Sequence, residues 1–265
     1  MSYTSAIEWT QTTWNPVTGC TKVSPGCDHC YAYNFAERFR GVAGHPYENG
    51  FDLMLRHRRL SLPMQWRQPR LIFVNSMSDL FHHKVPDEFI QLVFATMQTA
   101  DWHTFQVLTK RPQRALRMAH KLPWPSNVWF GTSIETARYF WRVDATRQIP
   151  AAIRFLSCEP LLASLGGLDL RAINWVIAGG ESGWGCRPPK IEWVREIREL
   201  CLAGNVPFFF KQWGGRYPKV GGRELDGQYW DQMPEVSSLT SGPANHRIQG
   251  QETVGAISVV PGLST

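Results

Sequence analysis

Residues 71–79 read Leu-Ile-Phe-Val-Asn-Ser-Met-Ser-Asp. Four apolar residues run together, and the chain then turns at once to small polar ones. Such an unbroken apolar run suits a strand buried on both faces, as in a parallel sheet. The pattern recurs down the chain. Phe105–Leu108 leads into Thr109-Lys-Arg111, and Val128–Phe130 into Gly131-Thr-Ser-Ile-Glu135. Ile153–Leu156 leads into Ser157-Cys-Glu-Pro160, and Trp175–Ile177 into Gly179-Gly-Glu-Ser182. Pro207–Phe210 leads into Lys211-Gln-Trp-Gly-Gly215. A weaker apolar run, Ala6–Trp9, precedes them all and is expected to be the first strand.

Helical patterns lie between the strands. Pro86–Met97 opens on proline and carries apolar residues at helical spacing. Arg114–His120 is shorter. Ile191–Leu202 stops before Gly204, which the pattern makes a C-cap. Tyr31–Arg38 is a further helix-like run. Strand and helix alternating predict an α/β protein, a partial parallel (β/α) barrel of the TIM type with six or seven strands. In such a barrel every strand ends on one face, so the polar strand ends should share a ligand site there. From about residue 234 Ser, Thr, Gly, Pro and Gln dominate. The expected organisation is a barrel over 1–233 and a polar tail or extension over 234–265.

The 265 residues include 43% hydrophobic and 19% charged side chains, which excludes a disordered chain. No apolar run reaches the roughly 18 residues of a membrane span. The N-terminus lacks the basic start and apolar core of a signal peptide, so a cytoplasmic location is expected. A net charge of +6 and 33 aromatic residues (12 Trp, 7 Tyr, 14 Phe) are compatible with a nucleic-acid partner. Oligomeric state is not legible.

Cys20, Cys27 and Cys30 are spaced C-x6-C-x2-C. Three thiolates on one short loop can hold three corners of a metal site and leave the fourth open, as catalytic metals require. Three readings stand. An iron–sulfur cluster uses all three thiolates. A structural zinc site needs a fourth ligand, for which His29 is nearest. A redox pair uses Cys27 and Cys30 alone.

The segments Thr13-Trp-Asn-Pro-Val-Thr-Gly-Cys20 and Cys27-x2-Cys30-Tyr31 resemble the phage Gp37/Gp68 family, a three-cysteine-motif group of the DUF5131 type. So do Asn75–Phe81, Val107–Pro112, Glu159–Leu162, Gly179–Ser182 and Phe208–Gly215. The resemblance spans roughly residues 7–233. It implies a protein similar to radical S-adenosylmethionine enzymes and to spore photoproduct lyase. It would carry a [4Fe-4S] cluster on Cys20, Cys27 and Cys30 with S-adenosylmethionine at the open iron. An external electron donor would then start radical chemistry, with DNA modification or photoproduct-type repair as the context. The six-residue gap after Cys20 is longer than in most such enzymes. The Gly-Gly-Glu at 179–181 follows a later strand than the usual one.

Within that implication Asn75, Ser76, Ser78 and Asp79 are candidate cofactor contacts, or caps for the next helix. Ser133, Glu135, Gly179, Gly180 and Glu181 are further candidates for the cofactor. Cys158, Glu159 and Lys211 are the candidate catalytic residues, Cys158 or Cys186 as a hydrogen-atom donor and Glu159 in proton transfer. Lys110 and Arg111 are read as partners of a phosphate or carboxylate, or as a solvated turn. Trp213 is read as a base-stacking ring or a barrel plug. The adjacent His82 and His83 are expected to face solvent. The alternative to an enzyme is a non-catalytic nucleic-acid-binding protein with structural zinc at the cysteines.

Overall fold

The computed structural model describes residues 5–217 and 219–235. In chain order the strands are β1 (Thr12–Trp14), β2 (Val17–Thr18), β3 (Met54–Leu55), β4 (Leu71–Val74), β5 (Thr104–Thr109) and β6 (Val128–Ser133). They continue as β7 (Ile153–Cys158), β8 (Trp175–Gly179), β9 (Phe208–Gln212), β10 (Glu224–Leu225) and β11 (Gln228–Tyr229). The helices are α1 (Tyr31–Glu37), α2 (Leu62–Gln65), α3 (Asp87–Thr99), α4 (Pro112–Met118), α5 (Trp141–Arg147) and α6 (Ile191–Ala203). Seven strands form one sheet in the order β1-β4-β5-β6-β7-β8-β9. Every neighbouring pair in it is parallel. β1 and β9 stand at opposite edges, so this is an open partial barrel with flanking helices.

Alternation along the strands divides the side chains into two sets. One set meets the helices. Ile72, Val74, Phe105, Val107, Val128 and Phe130 pack with Phe89, Ile90, Val93, Phe94 and Met97 of α3. Leu156, Cys158, Val176, Ala178, Phe208 and Phe210 pack with Val194, Ile197 and Cys201 of α6. The other set fills the barrel interior: Phe73, Trp129, Phe155, Trp175, Ile177 and Phe209, joined by Trp9. Trp9 lies 4.6 Å from Phe73 of β4 and 6.2 Å from Trp175 of β8, ring centre to ring centre. One indole therefore bridges strands that are four places apart in the sheet, which requires the sheet to curl around it.

One expectation is corrected and one is met. The first strand is Thr12–Trp14, paired Thr12 to Ile72, and Ala6–Trp9 is not a strand. The apolarity of that run serves the interior, where Trp9 is buried. Helix α6 ends with Gly204 as its C-cap, as the pattern predicts, at φ −89°; Asn205 takes the left-handed conformation at φ 48°, and the Val206 N–H closes the turn on the Cys201 carbonyl at 2.8 Å. The tail beyond residue 235 lies outside the described residues. Among the described residues no helix is long and apolar enough to cross a membrane.

The interior ring stack fixes the curl, so its centre should dominate stability. Trp175→Ala is expected to cost about 3–5 kcal/mol, read as a lowered urea midpoint. Leu92→Ala, on the exposed side of α3, is expected to stay within about 0.5 kcal/mol.

Candidate functional site

The cysteines occupy the segment that runs from β2 to α1. Gly19 donates its N–H to the Met77 carbonyl at 3.0 Å. A single helical turn follows at Pro25–Cys27, closed by Cys27 N–H to the Ser24 carbonyl at 2.9 Å and Asp28 N–H to the Pro25 carbonyl at 3.1 Å. Cys30 then precedes α1. All three cysteines are free and partly exposed.

The loop is fastened to the strand ends at three places, each built on a buried carboxylate. The first is Asp79, after β4. Its Oδ1 accepts from the Thr109 hydroxyl at 2.7 Å and the Phe81 N–H at 2.9 Å. Its Oδ2 accepts from the Lys110 N–H at 3.0 Å and Arg111 Nη1 at 2.9 Å. So held, Arg111 reaches the cysteine loop: Nη1 lies 3.4 Å from Cys20 Sγ, and Nη2 donates to the Thr21 carbonyl at 2.9 Å.

The second is Glu135, after β6 and fully buried at 0% exposure. It accepts from the Ser24 hydroxyl at 2.6 Å and from Arg142 Nη1 at 3.0 Å, with Lys110 Nζ at 3.3 Å. A Cβ on Gly26 would lie 2.5 Å from the Glu135 side chain, so only glycine lets the loop approach this closely. Arg142 comes from α5, is itself buried, and lies 4.0 Å over the Tyr139 ring.

The third is Glu181, after β8. Arg187 meets it with two parallel bonds, Nε at 2.9 Å and Nη2 at 2.6 Å, and donates its backbone N–H at 3.0 Å. The same Nη2 donates to the Pro25 carbonyl at 2.8 Å. His29 Nδ1 lies 3.2 Å from Glu181 Oε2. Burial alone would raise the Glu181 carboxyl, but the Arg187 bonds hold it below the usual range.

These contacts give several candidate residues an occupation within the protein. Asp79 and Glu181 bind the loop through Arg111 and Arg187, and Glu135 binds it directly through Ser24 while Arg142 balances its charge. Lys110 and Arg111 do meet carboxylates, those of Glu135 and Asp79. Ser76 exchanges hydrogen bonds with the Asn15 side chain, and Ser78 donates to the Val17 carbonyl at 2.8 Å. The 75–79 turn is thus stitched to the chain before the cysteines and caps no helix, since α3 starts at Asp87. Gly180 is closed in by the Trp213 carbonyl, 1.9 Å from where a Cβ would stand.

Asn75 differs. It is buried at φ 63°, its Oδ1 faces the Val17 N–H at 3.5 Å, and its Nδ2 has no partner. Glu159 and Lys211 form a partly accessible ion pair at 2.5 Å across the ends of β7 and β9, on either side of Gly179. Ser133 shares its neighbours' burial, and its carbonyl accepts from Arg142.

Three placements differ from expectation. Cys158 lies with Val194, Ile197 and Cys201 in the helix-facing core, where burial pushes its thiol well above the ordinary cysteine value. It does not open on the mouth, because both faces of β7 are apolar and the helix-facing one holds Cys158. Trp213 packs on Phe210 on that same side and donates its indole N–H to the Glu224 carbonyl, so it neither plugs the barrel nor stands free. His82 is fully buried, not solvent-facing. Its Nδ1 accepts from the Lys84 N–H at 3.2 Å, which leaves the Nε2 proton for the Thr21 hydroxyl at 2.9 Å.

A cavity of about 480 Å³ adjoins Cys20, lined by Thr21, Phe51, Leu53, His82 and Lys84 among others. Burial and Asp79 push the Cys20 thiol up to about 11, against the pull of Arg111. Among the described residues, no group of three or more His, Cys, Asp or Glu side chains gathers to hold a metal ion.

The profile of a family described as protein of unknown function (DUF5131) matches residues 4–234. That is most of the chain, and the chain belongs to this family. No curated protein and no solved structure matches.

Two outcomes follow from the fastenings. Glu135→Ala leaves the buried Arg142 without its counter-charge and releases Ser24. It is expected to cost about 3–5 kcal/mol in urea unfolding. Burial and the Arg111 charge hold His82 down to about 4. Its contribution to stability is therefore complete above the ordinary histidine value of about 6.5 and is lost as pH falls toward 4. His82→Gln is expected to flatten the stability–pH curve over that window.

Proposed function

We propose that this DUF5131-family protein is an iron–sulfur enzyme that reductively cleaves S-adenosylmethionine. The radical chemistry so started would act on a nucleic-acid base, as DNA modification or photoproduct-type repair. In this reading Cys20, Cys27 and Cys30 hold a [4Fe-4S] cluster. The observation that carries it is three free, partly exposed thiols on a loop that the protein's own ion pairs fix over the strand ends of a parallel barrel. Three thiols are the right donor type for a cluster held at three corners, although among the described residues their side chains do not gather into a ligand set. His29, the nearest fourth ligand for structural zinc, has Nδ1 3.2 Å from Glu181 Oε2, which leaves Nε2 as its ring nitrogen for a metal in the alternative reading.

When bound, the cluster would supply the electron that breaks the cofactor's sulfonium bond. The chain's residues would do the rest. Arg111, 3.4 Å from Cys20 Sγ, sets a fixed positive charge against the negative charge that three thiolates bring together. Asn75 offers a buried amide N–H with no partner, suited to a ribose or carboxylate oxygen. The Glu159–Lys211 pair offers one acceptor and one donor at the inner rim. The chain's +6 charge favours a polyanionic substrate.

Anaerobic purification tests the reading. We expect iron with acid-labile sulfide and a brown colour that bleaches on reduction. With dithionite and S-adenosylmethionine we expect 5′-deoxyadenosine, lost in Cys30→Ala. Stoichiometric zinc without iron would support the structural-zinc alternative and overturn the enzyme reading. Iron without 5′-deoxyadenosine above the Cys30→Ala level would remove the radical step.

A further inference from the structure

The loops after β8 and β9 meet beside the cysteine loop and are bonded to one another. Gly183 donates its N–H to the Gly215 carbonyl at 2.9 Å, and Gly215 donates to the Glu181 carbonyl at 3.0 Å. On this joined support stand two of the most exposed rings of the protein, Trp184 at 76% and Tyr217 at 63%. Between them lies Arg216, its guanidinium carbon 4.6 Å from the Trp184 ring centre and 5.7 Å from that of Tyr217.

Neighbouring cations are neutralised: Arg187 by Glu181, Lys219 by Glu8 and Arg223 by Asp231. Among the described residues, Arg216 has no acidic partner. The patch also adjoins the cysteines. A Cβ on Gly185 would lie 3.4 Å from the ring of His29, the residue before Cys30. Arg187, two residues further on, reaches the Pro25 carbonyl.

An exposed indole with a guanidinium over it presents a flat apolar surface and an unpaired charge side by side. Nucleobases stack on such rings whatever their identity, because each has a π-face. A stacked guanidinium is already oriented, so its remaining N–H groups can take phosphate oxygens with little further loss of freedom. A duplex keeps its base faces inside its own stack and has nothing to lay on Trp184. An acidic peptide would engage Arg216 but leave both rings uncovered. We propose that Trp184, Arg216 and Tyr217 form a stacking platform for single-stranded nucleic acid, leading the strand across the rim to the cysteine loop. The platform deepens the reading of a nucleic-acid base as substrate and rests on it for its purpose, though not for its binding.

Fluorescence anisotropy with a labelled oligothymidylate and the full chain tests it. Trp184→Ala is expected to weaken binding roughly tenfold or more, the usual effect of losing one stacked base. Arg216→Ala should lower the salt dependence by about one phosphate contact. Arg171→Ala, an exposed arginine at the opposite end of β8, should change nothing. Equal binding by Trp184→Ala and the unaltered protein would overturn the platform. So would no binding at low salt, or a duplex bound as tightly as the single strand with no loss in Trp184→Ala. Formation of 5′-deoxyadenosine, measured without nucleic acid, separates the two claims. Its absence alongside Trp184-dependent binding removes the radical chemistry and keeps the platform; its presence alongside Trp184-independent binding does the reverse.

Discussion

A carboxylate buried at the end of a strand must find a cation, and here each cationic partnership comes with a piece of the cysteine loop attached. Asp79, Glu135 and Glu181 are all buried. Arg111 connects the first to Cys20 and Thr21. Ser24 joins the second directly. Arg187 connects the third to Pro25. Isolating any of these charges in the interior is costly, because the desolvation penalty persists when the partner is gone. The loop is therefore secured by terms large enough to matter against a total stability of about 5–15 kcal/mol. A loop secured in this way can be preorganised before anything binds to it, and the conformational cost of ordering it is met during folding.

The mouth that the loop covers depends in turn on the aromatic interior. Trp9 contacts Phe73, Phe155 and Trp175, from β4, β7 and β8. Trp175 meets Trp129 and Phe209 edge-on. These rings set how tightly seven parallel strands curl. The curl in turn decides that the ends of β4, β6 and β8 all face one short loop. Packing below and charge above are consecutive layers of the same construction. The Glu159–Lys211 pair and the unpartnered Asn75 amide lie at the strand ends, between the interior rings and the loop.

Much of this was legible as pattern, because parallel strands buried on both faces read as apolar runs and polar strand ends read as their stops. All six strong runs are strands, and the three cysteines were evident from spacing alone. What failed has a common physical cause. A strand apolar on both faces carries no signal of which face looks inward, so the pattern alone offers Cys158 to the mouth when it faces α6. Trp213, one residue past β9, likewise turns to the helix side. Polar strand ends looked like ligand contacts because their partners are far off in sequence: Ser24 is 111 positions from Glu135. Arg142 sits in a short helix too polar to announce that one face is buried. The exposed Trp184 is hidden among 12 tryptophans, ten of which lie in or against the core.

The central claim is that the cysteine loop is shaped by the protein's own charges and not by a bound metal. Hydrogen–deuterium exchange on the metal-free protein tests it most directly, at the Cys27 and Asp28 amides that close the helical turn. The account predicts slow exchange at both, lost in Glu135→Ala while the strand amides of β5 stay protected. Exchange at the rate of an unstructured peptide in the unaltered metal-free protein would contradict it.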